Sequence, residues 1–356
     1  MKVNENFLKD YLNSNSPTGF EYQLGGQKLW MDYISQFVDK VEIDNYGTAY
    51  GIMGNMKSDF KVVIESHCDE ISWLVNHIDS KGFIKVIRNG GSDSQIAPSM
   101  RVTLWGDNGP VNGVFGHPAI HIHYRKKDVD LDSIFIDVGS SSKQEVIDMG
   151  INVGTVATFS DGFMKLGNDF YAGRALDNRI GGFIIAEVAR RLKEKGKELP
   201  FKLYIVNSVQ EEVGLNGASM ITQTIKPNVA IVTDVCHETS APCYTASKEG
   251  EVIAGNGGVV TRAPAVHNIL RKLVLDTATK KEIPFQLAAS SRSTGTDTDA
   301  FAYSNGGVPS VLISLGLRYM HTTVESCHKD DVKNVIKLIY HTLLNIEENH
   351  NFKYNA

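Results

Sequence analysis

Apolar positions along the chain follow two rhythms, and their alternation predicts the layout. Residues 60–66, 201–208, 229–235 and 309–315 are short, mostly apolar runs rich in β-branched side chains, the signature of buried strands. Between them the spacing turns helical. One apolar face forms over residues 1–13 (Phe7, Leu8, Tyr11, Leu12) and another over 21–38 (Leu24, Leu29, Trp30, Tyr33, Ile34, Phe37). Further helices are predicted over 183–195 (Ile184, Ile185, Val188, Ala189, Leu192), 268–281 and 329–347. Ser16-Pro17-Thr18-Gly19 is a turn between the first two helices, and 41–53 reads as a hairpin broken at Asn45-Tyr46-Gly47. Strands interleaved with helices in this way predict an α/β domain with a central sheet flanked by helices.

The texture changes between Ile71 and Asp161. Short β-rich runs at 72–78, 83–87, 101–104 and 111–115 are separated by Gly, Asp, Asn and Pro turns, and the one helical signal is short, over 142–149. Regularly spaced short strands suggest a small β-barrel or sandwich. The expected organisation is therefore a discontinuous main domain, residues 1–70 and 162–356, with residues 71–161 inserted as a β domain. His117, His121 and His123 lie in the insert. With no carboxylate pattern beside them, they read as structural or surface residues.

Composition sharpens this picture only modestly. The 356 residues suffice for two domains, and 42% hydrophobic with 22% charged residues is ordinary for a globular chain. A formal net charge of -5 without any long Lys/Arg run argues against nucleic acid or an anionic membrane as partner. The N-terminal stretch lacks the apolar core of a signal peptide, and no apolar run is long enough to span a bilayer. Cys68, Cys236, Cys243 and Cys327 show no CxxC spacing, so reduced thiols and a cytoplasmic location are expected rather than a thiolate zinc site.

The candidate chemistry sits where the predicted strands end. His67 closes one strand, with Asp69 two residues on and so on the same face; a metal-bound imidazole commonly gives its second N–H to such a carboxylate. Asp177 opens a predicted helix, Glu211 and Glu212 follow a second strand, Asp234 ends a third, and His321 follows a fourth. Each has a plain explanation as a turn acid, a helix cap or a strand-end histidine. Together they have the composition of a two-metal hydrolytic site, in which one carboxylate bridges and each metal takes one His and one further carboxylate. Oxygen-rich ligation without thiolates suits zinc, with cobalt or manganese as alternatives. Glu211, beside Glu212, is then free to serve as general base.

The order of motifs resembles the M42 metallopeptidases, a family of glutamyl, leucyl and deblocking aminopeptidases that includes proteins labelled cellulase M. The resemblance spans nearly the whole chain and rests on eight segments. These are His67-Cys68-Asp69-Glu70-Ile71, Gly90-Gly91, Phe135-Ile136-Asp137-Val138-Gly139, Ala175-Leu176-Asp177-Asn178-Arg179, Glu211-Glu212-Val213-Gly214, Asp234, Gly295-Thr296-Asp297 and Tyr319-Met320-His321.

It implies two divalent ions per subunit: His67 and Asp234 on one, Glu212 and His321 on the other, Asp177 bridging. It also implies that Asp69 orients His67 and that Glu211 is the base acting on a water held between the metals. The substrates would be peptides with a free N-terminus. The implied fold is a peptidase α/β domain with an inserted β-barrel, and the implied assembly is a homo-oligomer, commonly a tetrahedral dodecamer built from dimers. Three departures from the family pattern stand out: Thr322-Thr323 where Ser-Pro is frequent, Ala263 where Gly is usual, and Asn268 where Pro is usual. None is a ligand. Two rival readings remain: a metal-independent glycoside hydrolase using Glu211 and Asp234, and a non-catalytic scaffold on a peptidase fold. A scaffold would typically have lost a ligand or the base, and here all are present. Lys248 and Arg262 would suit acidic substrates, but each reads as a solvated surface residue.

Overall fold

A computed structural model describes residues 2–122 and 129–354. Among the described residues, eleven strands form one mixed sheet, and six more close into a barrel. The centre of the sheet is four parallel strands in the order Lys202–Ser208, Lys61–His67, Val229–His237, Ser310–Arg318. These are the four apolar runs of the sequence, and they are buried on both faces, as parallel strands between helical layers must be. Their register brings Ser208 level with His67 and Asp234 level with Ser314. The strands flanking this centre join it antiparallel, and the outer strand Phe285–Ala289 then pairs parallel with Gly258–Arg262. The hairpin predicted over 41–53 appears as Lys40–Ile43 paired with Ala49–Gly54, its turn held by Asp44 Oδ1, which accepts from the backbone N–H groups of Tyr46, Gly47 and Thr48.

The helix Leu176–Glu194 is buried on nearly every side until its last turn, its apolar residues joining the main core and its polar Asp177, Asn178, Arg179 and Glu187 buried with them. Gly181 and Gly182 let it settle onto the strand ends: a Cβ on Gly181 would lie 2.4 Å from Ser66 Oγ, and one on Gly182 would lie 2.7 Å from Asn207 Oδ1. The helix starts earlier than the apolar spacing implies, with Asp177 and Asn178 non-helical in its first turn and the peptide bond between them cis. The second predicted helix is shorter than expected, Gly26–Ile34 rather than 21–38. Gly25, at φ 97°, takes a left-handed conformation that breaks the helix from the turn before it. Gln27 on this helix is buried because its amide donates to Gly47 O and Asn207 O.

The β-rich segment closes as a barrel in the order Ser72–Ile78, Ile84–Asn89, Ile136–Asp137, Gly109–Phe115, Arg101–Gly106, Val156–Phe159. It has an apolar cluster of its own, centred on Trp73, Leu104, Phe115 and Ile136 and separate from the main core. Ile120–Ile122 is a 3-10 turn rather than a strand; His117 and His121 are exposed, and His123 lies outside the described residues. Among the described residues, no helix is long and apolar enough to cross a membrane.

Candidate metal centre

The carboxyl ends of the four central parallel strands all open on one edge of the sheet, where functional side chains gather in open α/β folds. His67 is the last residue of Lys61–His67, and Asp234 lies within the C-terminal half of Val229–His237. Glu211 and Glu212 form a 3-10 turn just after Lys202–Ser208, and His321 follows Ser310–Arg318 by three residues. Asp177 comes from above, on the first turn of the buried helix.

The sequence-predicted residues converge. His67 Nε2 lies 3.3 Å from Asp177 Oδ1 and 3.7 Å from Asp234 Oδ1. His321 Nε2 lies 3.3 Å from Asp177 Oδ2 and 3.4 Å from Glu212 Oε1. Asp177 thus presents one oxygen to each imidazole, from two different strand ends. Two groups of potential ligand atoms result, His67 with Glu211 and Asp234, and Asp177 with Glu212 and His321, each within 4.8 Å. Glu211 therefore stands within ligand reach of the first group.

Behind these residues Asp69 is fully buried. Its Oδ1 accepts from the Glu211 backbone N–H at 3.0 Å, and its Oδ2 accepts from the Glu212 N–H at 3.2 Å and from Thr18 Oγ1 at 2.9 Å. The same Oδ1 lies 3.4 Å from His67 Nδ1, too poorly aligned for a full hydrogen bond. Sequence reasoning found Asp69 but missed the role of Thr18, which lay in a turn and carried no chemical signal.

The insert contributes to the site through backbone. Gly90 lies against Glu212, and Gly91 packs on the His321 imidazole so closely that a Cβ there would be 2.6 Å from Nδ1. Glu325 was also missed. Its carboxylate accepts from the backbone N–H of Asp177 at 3.0 Å and of His321 at 2.7 Å.

The electrostatics make a donor set without enough positive charge. Glu65, Asp69, Asp177, Asp234, Asp297 and Glu325 are all buried, and among the described residues the cationic partners of the site acids are the two imidazoles. Burial raises Glu211 to about 10, with the neighbouring Asp234, Asp297 and Asp69 charges adding to the rise against the pull of His67. Burial likewise raises Glu212 and Asp234. Burial works against protonation of His321, but Asp177 and Glu212 outweigh it and hold the imidazole up to about 11. Asp297 is buried against the Glu65 carboxyl group, and burial with that neighbour raises it well above the usual carboxylate range. Carboxylates and imidazoles packed this densely fit divalent cations, which would supply the missing charge.

Comparison with known proteins settles the relationship. A family model described as M42 glutamyl aminopeptidase matches residues 47–338. The chain belongs to the M42 peptidase family. The lysyl aminopeptidase of Pyrococcus furiosus is 34% identical to it over 94% of this chain and 95% of that protein. The TET aminopeptidase of the marine sediment archaeon Thaumarchaeota archaeon SCGC AB-539-E09 superposes with a TM-score of 0.89 at 28% identity, covering 96% of this chain and 98% of that one. The Pyrococcus horikoshii TET1 peptidase, which can assemble into a tetrahedron or a large octahedral shell, superposes at 0.82 with 25% identity, covering 95% and 98%. This M42 peptidase is a peptide hydrolase, a metal-dependent aminopeptidase with two carboxylate/histidine groups able to hold metal.

Proposed function

We propose that this M42 peptidase removes N-terminal residues from peptides at a dinuclear centre, with Glu211 as general base. The observation that carries the reading is Asp177, whose two oxygens each stand 3.3 Å from a different imidazole. His67 and Asp234 would hold one ion, Glu212 and His321 the other, with Asp177 between them; zinc fits the donor set best, and cobalt or manganese also fit. When bound, the two ions supply positive charge that polarises the scissile carbonyl and acidifies the attacking water.

The chain's own residues do the rest. Glu211 is half-buried and held by the bond from its backbone N–H to Asp69. Its carboxylate takes the proton of the attacking water and returns it to the leaving amine. Asp69 faces His67 Nδ1, which leaves Nε2 directed at Asp177 and Asp234. Glu212 is kept as a ligand by the second oxygen of Asp69. In this reading residues 1–70 and 162–356 form the catalytic domain and 71–161 the assembly domain. The separate core of the barrel and the assembly named for the P. horikoshii relative support a homo-oligomer, a dodecamer being the form proposed. We place it in the cytoplasm, where its four cysteines, unpaired among the described residues, stay reduced.

The glycosidase alternative finds no support in the geometry. Its proposed pair, Glu211 and Asp234, is gathered around His67, an imidazole that a metal-free carboxylate pair does not require. The deciding experiment is a panel of lysyl, glutamyl and leucyl chromogenic substrates, with chelator and with added Zn, Co or Mn. Hydrolysis of an aminoacyl substrate that chelator abolishes and metal restores is the expected result. Full activity in chelator, or cleavage of a glucan but no aminoacyl substrate, refutes it.

A further inference from the structure

Three of the loops that deliver the candidate ligands contain a non-glycine residue in the left-handed region: Ala175 at φ 56°, Gln210 at φ 56° and His321 at φ 61°. Such conformations cost free energy and persist only where their surroundings hold them. Beside the Gln210 loop, Glu21 accepts the Gln210 N–H and Asp69 accepts the next two, those of Glu211 and Glu212. For the other two loops the holding group is one side chain, Glu325. It is 2% exposed, and each carboxylate oxygen accepts one backbone N–H, Oε1 from His321 and Oε2 from Asp177.

These two residues are 144 positions apart in sequence, yet one carboxylate spans their backbones. Beside the direct 3.3 Å contact of His321 Nε2 with Asp177 Oδ2, it ties the main chain of the first turn of the buried helix to that of the loop after Ser310–Arg318. Glu325 also anchors itself to the segment leading into that turn, because its own carbonyl accepts the Gly173 N–H at 3.0 Å.

We propose that Glu325 is a positioning residue that fixes the separation of Asp177 and His321, and so sets the affinity of the Asp177–Glu212–His321 group for its cation. The proposal rests on the dinuclear reading above. Glu325 touches no ligand atom; it acts through two main-chain N–H groups. An amide in its place keeps one acceptor but turns an NH₂ toward the second N–H, which is then left buried and unpaired. His321 loses the bond that stabilises its left-handed backbone, or Asp177 loses its tether. Either way the two ligands no longer arrive at a common distance. The group of His67, Glu211 and Asp234 faces Asp177 as well, but its own three side chains come from other segments, so it depends less on the tether.

The test is cobalt(II) titration of metal-free wild type, Glu325→Gln and Glu325→Asp, followed by visible absorption and calorimetry, with thermal melts of each metal-free protein. Wild type should bind two ions. Glu325→Gln should bind one of the two ions, that of the Asp177–Glu212–His321 group, at least tenfold less tightly, within the 10–100-fold range for lost outer partners of a metal site. Its other ion should be affected less, and the metal-free melting midpoint should stay near wild type. Glu325→Asp, too short to reach both N–H groups, should show the same selective loss, and it carries the comparison if the Gln variant does not fold. Two ions bound with wild-type constants in both variants overturns the assignment of Glu325 alone. Equal weakening of both ions together with a lowered metal-free midpoint also overturns it, since that is the mark of a general structural role. Fewer than two ions in wild type refutes the dinuclear reading itself, and with it this proposal.

Discussion

Gly91→Ala is a one-carbon perturbation whose effect can be worked out before it is measured. A Cβ built on Gly91 falls 2.6 Å from Nδ1 and 2.7 Å from Cε1 of His321, whereas ordinary contact begins at 3.4 Å. The imidazole or the loop must therefore retreat by roughly 1 Å, and a displacement of that size at a catalytic constellation costs about 10²-fold in rate. That corresponds to about 2.7 kcal/mol of transition-state stabilisation. Backbone strain does not confuse the result, because Gly91 is not in the left-handed region. Gly90→Ala would be a poorer experiment: Gly90 sits at φ 78°, so alanine there is strained whatever the space. The assay pairs kcat and KM on an aminoacyl chromogenic substrate with a metal titration of the apo-protein. Turnover should fall about 10²-fold, with weaker binding of the ion assigned to His321 and little change in the melting midpoint. If Gly91→Ala keeps wild-type turnover and both metal affinities, the insert's loop does not pack on a working ligand, and the assignment of His321 falls with it.

Three further outcomes follow from the same geometry. Glu211→Gln should lower kcat by roughly 10²–10⁴-fold, the usual worth of a general base, with metal content unchanged, while Glu212→Gln should lose an ion and recover partly in excess metal; identical behaviour of the two under metal titration would defeat the division of roles. Since the imidazole of His321 is held up to about 11 without metal, a cation must displace its proton, so affinity should keep rising with pH until about 11. Calorimetry in buffers of different ionisation heat should detect the released protons, and pH-independent affinity would contradict this. Arg179 is fully buried, ion-paired to Glu70 and donating to the carbonyls of Tyr11, Leu12 and Ser14, so Arg179→Met leaves Glu70 with Arg174 as its one guanidinium partner, removes those donors, and should cost roughly 1–3 kcal/mol in denaturant unfolding; a loss below about 1 kcal/mol would show that Arg174 alone neutralises Glu70.

The five candidate ligands and the proposed base were legible because a buried parallel strand reads as an apolar run, and a polar residue at its carboxyl end stands out against that run. His67, Asp234 and the Glu211-Glu212 pair were found this way, and the structure brings all of them to one edge of the sheet. The β texture of residues 71–161 was equally visible, since turn residues punctuate it, but closure into a barrel depends on pairings such as Leu104 with Ala157 that no local pattern encodes. What stayed hidden was support delivered through the main chain. Thr18, Glu21 and Glu325 accept or donate bonds to backbone or carboxylate groups far away in sequence, and they sit in turns with no periodicity. The shortened helix Gly26–Ile34 failed for a related reason: its apolar spacing continues on both sides, but Gly25 takes a left-handed conformation that ends it.

The hidden residues share a physical logic with the visible ones. A site that gathers this many acids around two imidazoles carries excess negative charge until cations arrive, so the carboxylate–imidazole contacts alone do not hold its loops. They are held instead by backbone N–H groups pointing at buried carboxylates: Asp69 for the Glu211-Glu212 turn, and Glu325 for Asp177 and His321. A backbone N–H is a donor that cannot be lost to a change of side chain, and fixed dipoles in a dry site need no reorganisation when a cation arrives. The cost is that each supporting carboxylate adds negative charge beside the ligands; burial together with the Asp177 charge raises Glu325 well above the usual carboxylate range. Bound cations remove that cost by lowering the energy of every ionised acid around them. Metal occupancy should therefore stabilise the ligand-bearing loops more than it stabilises the barrel. Hydrogen exchange comparing apo and metal-loaded protein measures this directly: protection should rise at residues 209–215 and 319–325 and stay level in the strands Arg101–Gly106 and Gly109–Phe115. A uniform rise across both regions would mean that the cations act on global stability rather than on the loops, and the account of how this site is held would have to be abandoned.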